Sequence, residues 1–409
     1  MKILLAHNRY ARPSGEEHAC ASIATLLQER GHEVEWLERD SATLLGSRRR
    51  QLQAFFSGFY SVAAARELRA RVRHQRPDVL HAQNLYPLLS PSILRAARRL
   101  DVPVVLRCPN YRLFCPTGLH YTSGAICERC LSPGREMWCA VRNCTGSRGK
   151  SISYAMRGLT ARWTRMILRH VDVFVVLSDF QRQRFVARGV PAARIAVVPN
   201  AIPEVGGAAG DPSAVGRTVA FLGRVSEEKG VGDFLAAARA LPQLPFAVAG
   251  AVRDDPATQA LIANAPQNVR VCGYLQGAAL DAFVREARIL VCCSRWFEGF
   301  PNALARGMAA AKAVVAPRLG CLPEIVTNGV TGVLYEPGSS EALGRAIADL
   351  YPRASQCQVL GAAAREDAIR RFGPETVYEQ WLAVYAMARD GGECAPASPT
   401  TTGAAATVR

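Results

Sequence analysis

The sequence of 409 residues has no long apolar run. Its apolar runs, such as Val173–Leu177, Ile289–Cys293 and Ala313–Ala316, are short, whereas a membrane-spanning helix needs about 20 apolar residues. The opening stretch, Met1–Ala6, is too short for the apolar part of a secretory signal. Because 49% of the residues are hydrophobic and 21% are charged, disorder and coiled coil are excluded for the chain as a whole. We expect a globular cytoplasmic protein.

Lysine is scarce, and the positive charge is uneven along the chain. Only four of the 50 basic residues are lysine. Residues 1–200 contain 31 basic and 14 acidic residues, a net charge of +17, whereas residues 201–409 contain 19 and 20, a net charge of −1. A one-sided positive charge indicates an anionic partner for the first half: a membrane surface, a nucleic acid or a phosphorylated substrate.

Short apolar strands alternate with helical segments on both sides of a Gly-, Pro- and Ala-rich stretch at 200–217. Such strands predict parallel sheets that are covered by helices on both faces. The pattern therefore predicts an α/β protein with two doubly wound domains, 1–199 and 218–372, which are joined by the stretch at 200–217 and face a central cleft. A terminal helix at 373–390, able to cross back to the first domain, and a disordered tail at 391–409 complete the organisation.

Two loops of the second domain carry glycine beside charged residues. The first, Gly223–Gly230, follows an apolar strand and opens a helix, and it contains Arg224 and Lys229. Backbone N–H groups at a helix start, together with two cations, suit a diphosphate; a solvated surface loop is the alternative. The second loop, Glu298–Pro301, lies between an apolar strand and a helix predicted at 302–311.

These loops, followed by Gly320–Val326, resemble the nucleotide-sugar domain of the retaining glycosyltransferases of the GT-B fold, glycosyltransferase family 4 (group 1). Segments at 178–189 and 197–202 and the first loop, His7–Glu16, extend the resemblance over nearly the whole chain. The resemblance implies two Rossmann-like domains, the first for the acceptor and the second for the nucleotide sugar. It also implies sugar transfer with retention to a lipid-linked or polysaccharide acceptor of the cell envelope.

The resemblance also assigns roles to residues. Arg224 and Lys229 match the pair that holds the donor diphosphate. Glu298 matches the first glutamate of the E-x7-E signature, which binds the donor sugar, and Gly15 matches the glycine loop near the reacting centre. Because charge develops on the departing diphosphate, the two cations supply the stabilisation, and no catalytic metal is expected. The implied catalytic residues are Arg224, Lys229 and Glu298. The implied donor-binding residues are Gly15, Gly223, Arg224, Lys229, Glu298, Gly299, Phe300, Pro301, Arg306 and Glu324.

Two positions differ from the family pattern. Arg306 stands where the second glutamate of the signature would accept hydrogen bonds from the ribose, and arginine has no acceptor. Pro109 stands where many relatives have a histidine. We expect Arg306 to contact a donor phosphate or a neighbouring carboxylate. These differences leave two alternatives: a catalytically weak binding subunit of the same fold, and a sugar-nucleotide epimerase or phosphorylase.

Three further residues are candidates for the acceptor side: His7, His81 and Asn110. Both histidines come at the carboxyl ends of predicted strands, where each can orient an acceptor hydroxyl or simply cap a strand. Asn110 follows Pro109 in the loop that the family places near the sugar.

Five of the 13 cysteines fall in an insert at 109–150 that has little periodicity. Four of them have the number and the short C-x2-C spacing of a structural zinc site, and Cys139 can replace one of the four. The predicted ligands are Cys115, Cys127, Cys130 and Cys144. Reduced, unliganded thiols and an iron–sulfur cluster are the alternatives.

A basic amphipathic stretch lies at 152–169, where arginines recur at helical spacing between apolar residues. Such a stretch fits an anionic lipid surface; an ordinary packed helix with a charged outer face is the alternative. We recognise no nucleic-acid-binding fold and expect no nucleic-acid partner. The resulting prediction is a cytoplasmic enzyme, peripheral at the inner face of the plasma membrane.

Overall fold

The computed structural model describes residues 1–11, 15–132, 134–202 and 216–391. Within them, two six-stranded sheets accompanied by helices form two domains. Most of the stretch at 200–217, and all but one residue of the tail predicted at 391–409, lie outside the described residues. No helix in the described part of the chain is long and apolar enough to cross a membrane.

The first domain is built on a parallel sheet. The strands of this domain are β1 (Lys2–Arg9), β2 (Glu33–Asp40), β3 (Val79–Ala82), β4 (Val104–Arg107), β5 (Tyr121–Thr122), β6 (Ala125–Ile126), β7 (Val173–Val176) and β8 (Ile195–Val197). Strands β5 and β6 form a separate two-stranded hairpin. The strand order in the sheet is β2-β1-β3-β4-β7-β8, and every neighbouring pair is parallel. Strands β3, β4 and β7 are buried along their whole length, as their apolar sequences predict.

Eight α-helices accompany this sheet in the described residues. They are α1 (Gly15–Glu29), α2 (Arg48–Ser57), α3 (Val62–Gln75), α4 (Ser92–Arg98), α5 (Trp138–Val141), α6 (Arg148–Trp163), α7 (Met166–His170) and α8 (Asp179–Val186). The prediction of one amphipathic segment at 152–169 is wrong in one respect, because Arg165 adopts the left-handed conformation and separates α6 from α7. Helices α2 and α3 were not predicted; each begins at a serine whose hydroxyl accepts a backbone N–H, Ser47 and Ser61.

The second domain repeats the architecture. Its strands are β9 (Thr218–Leu222), β10 (Phe246–Ala249), β11 (Val269–Val271), β12 (Ala287–Val291), β13 (Ala313–Pro317) and β14 (Val333–Tyr335). The helices that follow in the chain are α9 (Val231–Ala240), α10 (Pro256–Ala263), α11 (Gly277–Glu286), α12 (Asn302–Ala309), α13 (Leu322–Ile325), α14 (Ser340–Leu350), α15 (Ala354–Phe372) and α16 (Pro374–Arg389). The order is β11-β10-β9-β12-β13-β14, so the direction of winding reverses between β9 and β12, where open α/β sheets bind ligands.

Helix α16 returns to the first domain. Its Trp381 and Tyr385 are fully buried and pack in one cluster with Leu5, Val105 and Val173 of the first sheet. The first domain therefore includes the last helix of the described chain, and the chain passes between the domains twice.

Candidate active site

The loop after β9 presents Arg224 beside a buried carboxylate. Arg224 Nη2 lies 2.8 Å from Glu228 Oε1, and Arg253 Nη1 lies 3.2 Å from the other oxygen of Glu228. Burial favours the protonated form of Glu228, but the two guanidinium groups and a backbone hydrogen bond outweigh burial and lower the pKa of this carboxyl. Arg224 is half exposed, so its guanidinium is open to solvent on one side.

The same loop turns at Gly230 to reach the loop after β12. Gly230 has a φ of +73°, and a Cβ there would lie 1.7 Å from the carbonyl oxygen of Cys293. Only glycine allows this close approach, which brings Lys229 over the second loop.

Glu298 is the centre of the second loop. Its side chain is buried and accepts hydrogen bonds on Oε1 from Lys229 Nζ at 2.6 Å, Ser294 Oγ at 2.5 Å and Trp296 Nε1 at 3.0 Å. The Lys229 ammonium also lies 5.3 Å from the Trp296 ring centroid. Two of the three predicted catalytic residues, Lys229 and Glu298, thus form an ion pair at the point where the strand order reverses.

The first domain approaches this loop closely. A Cβ at Gly299 would lie 2.4 Å from the carbonyl oxygen of Pro109, and Tyr111 Oη donates to the carbonyl oxygen of Glu298 at 3.4 Å. A Cβ at Gly15 would lie 3.7 Å from Asn302 Nδ2. Pro109, one of the two positions that differ from the family pattern, therefore presents its backbone to the donor loop of the second domain.

A chain of polar groups, buried at its first-domain end, also connects the domains. Arg107, at the end of β4, donates to Asn200 Oδ1, and Asn200 Nδ2 donates to Asn302 Oδ1 at 2.7 Å. Burial lowers the pKa of Arg107, which has almost no exposed surface. The sequence motifs did not indicate this link, because its members belong to three distant segments.

A polar cluster on the first-domain side includes one predicted acceptor-side residue, Asn110. Its Nδ2 donates to Glu16 Oε2 at 3.3 Å, and Tyr10 Oη donates to the same oxygen at 2.8 Å. Arg112 Nη1 lies 3.0 Å from Tyr10 Oη and 3.1 Å from Asn84 Oδ1. Burial raises the pKa of Glu16 despite the nearby Arg112. Tyr10 and Glu16 stand in the first-loop motif, but neither they nor Arg112 received a role from the sequence.

The two predicted acceptor-side histidines are enclosed. His81 has no exposed surface; its Nδ1 lies 2.8 Å from Tyr385 Oη, and its ring lies 4.6 Å from that of Trp381. The prediction that His81 orients an acceptor is therefore wrong, because α16 covers it. His7 is 1% exposed and lies 4.0 Å from Glu17. Burial lowers the pKa of His7 to about 4 and that of His81 to about 3, so both are neutral at neutral pH.

Arg306 pairs with a carboxylate of its own domain. Its Nη1 lies 2.9 Å from Asp281 Oδ1 on α11. Glu324, at the start of α13, instead accepts from the backbone N–H of Asp179 at 3.0 Å and so caps α8 of the other domain. Phe300 is buried against Phe372, with ring centroids 5.1 Å apart, and serves the core. The donor-binding roles implied for Glu324 and Phe300 are not visible in these contacts.

The hairpin of the insert reaches the donor loop, which no motif predicted. Tyr121 Oη donates to Glu227 Oε1 at 3.2 Å, and a Cβ at Gly124 would lie 3.3 Å from the same oxygen. Burial and the Glu227 charge raise the pKa of Tyr121 to about 12. Glu227 stands between Arg224 and Lys229 in the chain, so the insert touches the segment that carries both predicted phosphate ligands.

The cysteines of the insert lie near one another. Cys139 and Cys144 share a hydrogen bond, which lowers the pKa of Cys144 to about 6 and raises that of Cys139. Burial, together with the neighbouring thiols of Cys115 and Cys127, raises the pKa of Cys130 to about 12. Among the residues that the structure describes, no three His, Cys, Asp or Glu side chains are arranged to hold a metal ion.

Comparisons with known proteins show a similar fold and related sequences. The structure of Alr3699/HepE from Anabaena, solved in complex with UDP, superposes on this chain with a TM-score of 0.64 and 18% sequence identity. The superposition covers 94% of this chain and 100% of that one. The α-maltose-1-phosphate synthase of Mycolicibacterium smegmatis is 30% identical over 182 residues, which are 41% of this chain and 47% of that protein. The phosphatidyl-myo-inositol mannosyltransferase of Mycobacterium leprae is 27% identical over 278 residues, 64% of this chain and 72% of that protein.

The two parallel-sheet domains and the structural likeness define the class: this is a two-domain α/β protein of the GT-B fold, as predicted. The profile described as "Glycosyl transferase 4-like domain" matches residues 14–201, and the profile described as "Glycosyl transferases group 1" matches residues 216–352. The chain belongs to the group 1 glycosyltransferase family. The alignments with the first curated relatives span less than half of those relatives' length.

Proposed function

We propose that this protein transfers a sugar, with retention, from a nucleotide-sugar donor to a glycan or lipid-linked acceptor. The observation that carries the proposal is the Lys229–Glu298 ion pair, which lies with Arg224 at the reversal point of the second sheet. Such a point binds nucleotides in open α/β sheets. UDP in the complex of the structural neighbour supports a nucleoside diphosphate as the bound group.

The paired charges suggest how the donor is used. A diphosphate that enters the cleft offers Lys229 a second anion, and Arg224 can contact the same phosphates because it is half exposed. As the bond from the anomeric carbon to the diphosphate breaks, negative charge grows on the leaving group, and both cations stabilise it. Glu298 keeps its hydrogen bonds from Ser294 and Trp296, which hold its carboxylate in place to accept from sugar hydroxyls.

The acceptor is proposed to meet the donor at the first-domain cluster of Tyr10, Glu16, Asn110 and Arg112. This cluster offers donors and acceptors for hydroxyl groups and one guanidinium for an anionic group. A lipid-linked acceptor at an anionic membrane surface is supported by the basic first half of the chain and by the name of the mycobacterial mannosyltransferase.

The test is a panel of nucleotide sugars, scored first for thermal stabilisation and then for turnover with and without glycan acceptors. A donor at 100 times its dissociation constant should add about 2.7 kcal/mol to the free energy of unfolding. We expect one donor to stabilise the protein and its sugar to be transferred. Isomerisation of the donor without an acceptor would indicate an epimerase. Stabilisation without any turnover would indicate a binding subunit.

A structural zinc ion in the insert is a separate proposal that rests on the cysteine spacing. The protein, purified under reducing conditions, should contain about one zinc ion per chain. Cys127→Ser with Cys130→Ser should remove it, whereas Cys272→Ser, a partly buried cysteine of the second domain, should not. Metal analysis that finds none in the wild type would leave the hydrogen-bonded Cys139–Cys144 pair as an ordinary thiol pair.

A further inference from the structure

Helix α2 exposes an apolar stripe to solvent. Leu52 and Phe56, one helical turn apart, are 60% and 63% exposed, and Leu45 just before the helix is exposed as well. Large apolar side chains exposed together mark surfaces that bind a partner. The helix begins with Arg48–Arg50, and no acidic residue occurs at any position in 41–66.

Helix α6 exposes a second stripe. Ile152, Met156, Leu159 and Trp163 follow one another at intervals of four, three and four residues, which places them on one face of a helix. Three of them are exposed, and Trp163 is 85% exposed, the most exposed large apolar residue of the described chain. This segment also lacks acidic residues, from Met137 through Val171.

The two helices are neighbours. A Cβ at Gly58, which ends α2, would lie 3.3 Å from Arg157 Cδ on α6, and Phe59 lines the same small cavity as Thr160 and Thr164. The inner face of α6 holds Arg157, whose guanidinium lies 4.0 Å from the ring centroid of Tyr86. The two helices therefore touch, and both stripes lie on the surface of the first domain. We call the stripes and the Arg48–Arg50 segment the α2–α6 face.

We propose that the α2–α6 face docks on an anionic lipid bilayer, with the apolar stripes entering the interfacial region and the arginines contacting lipid phosphates. The chemistry favours lipid over a protein partner. The face combines exposed Trp, Phe and Leu with arginines and has no carboxylate, and an anionic bilayer has an apolar interior beneath a negatively charged surface. The proposal deepens the proposed function by placing the acceptor source at a membrane. It does not depend on catalysis, because docking needs neither donor nor acceptor.

Docking is measured by co-sedimentation of the full chain with vesicles of phosphatidylcholine alone and of phosphatidylcholine with phosphatidylglycerol at about three to one. We expect binding to the mixed vesicles to be at least about tenfold tighter, and we expect raised salt to weaken it. Three substitutions, Arg48→Gln, Arg49→Gln and Arg50→Gln, should together weaken it by about a hundredfold, since each arginine near such a surface contributes about fivefold.

The stripes are tested by paired serine substitutions. Leu52→Ser with Phe56→Ser, and separately Met156→Ser with Trp163→Ser, should each weaken vesicle binding by about tenfold or more. The matched control is Val359→Ser with Ile369→Ser on α15, two apolar residues that are 67% and 49% exposed in the other domain. The control should bind like the wild type.

A fluorescence measurement on the wild-type chain tests docking without relying on variants that fail to fold. The fluorescence of Trp163 should shift to shorter wavelength on addition of mixed vesicles, and Trp163→Phe should remove that shift. Equal wild-type affinity for neutral vesicles, an equal loss in the α15 control, or no vesicle binding at all would overturn the proposal. A wild-type dimer that the stripe variants convert to monomers, without vesicle binding, would assign the face to a second copy of the chain instead. Sugar transfer to a soluble acceptor, measured separately, distinguishes failure of docking from failure of the proposed function.

Discussion

The cations around the donor loops and three arginines inside the first domain have different partners. Around the donor loops, cations are paired with carboxylates: Lys229 with Glu298, Arg224 with Glu228, and Arg295 with Asp233. In the first domain, Arg107 and Arg157 are buried and Arg112 is partly buried. All three lie against amide or tyrosine groups, and none of them hydrogen-bonds a carboxylate in the described residues, although other arginines there do, such as Arg162 with Glu136. If the proposed diphosphate binds, the donor-loop cations exchange a carboxylate for a phosphate, whereas the three first-domain arginines have no hydrogen-bonded carboxylate to exchange in the described residues. All seven histidines also lie in the first half of the chain.

The largest expected difference between the domains is their loss of stability in acid. Burial lowers the pKa of His7 and His120 to about 4 and that of His81 to about 3. Below about pH 6.5 the unfolded chain binds protons that the folded domain does not, so the stability is complete above that pH and falls as the pH drops toward 4. We expect a loss on the order of several kcal/mol, confined to the first domain.

Hydrogen exchange resolved by peptide, corrected for the intrinsic effect of pH and compared near pH 7 and pH 4.5, measures this loss. Exposed His74 provides a control, since His74→Gln should leave the pH profile unchanged. Equal loss of protection in both domains would show that the buried histidines do not govern acid stability.

Removal of the α16 anchor should have the next largest effect. Trp381→Ala should cost about 3–5 kcal/mol of unfolding free energy, since the side chain is fully buried in the first domain. The matched control is Trp163→Ala, whose side chain is almost entirely in solvent and whose loss should change stability little. Urea unfolding of both variants decides; similar midpoints would mean that α16 adds little to the first domain.

The donor pairs give a catalytic prediction. Lys229→Ala should lower kcat by about 10²–10³, the range for one lost donor to developing charge. Lys312→Ala is the control, because Lys312 donates to the Arg285 carbonyl oxygen away from both donor loops. Steady-state kinetics with the donor found above measures both, and a wild-type rate for Lys229→Ala would remove the lysine from the chemistry.

The smallest effect concerns Arg306. Arg306→Glu places a carboxylate beside Asp281 and should cost about 0.5–1 kcal/mol of unfolding free energy, since both groups are partly exposed. Adding Asp281→Arg restores an ion pair and should recover that loss. Nucleotide affinity, measured by calorimetry, should also weaken in Arg306→Glu. If the affinity is unchanged, the side chain lies outside the donor site.

The sequence predicted most of the fold because buried parallel strands are short apolar runs, as β9 and β10 are. Helix α2 was missed because its apolar stripe faces solvent and its first turn is basic. The donor loops could be found because their residues are close in the chain. The partners of Arg306 and His81 could not, because Asp281 and Tyr385 meet them only through tertiary packing.

The contact between the insert hairpin and Glu227 couples the conformation of the hairpin to that of the donor loop. If ordering of the hairpin favours the donor-ready loop, then a bound donor must favour the ordered hairpin by the same factor. The cysteines beyond that hairpin thereby become reporters of donor occupancy: their rate of alkylation would fall when the cleft is filled, although no ligand touches them.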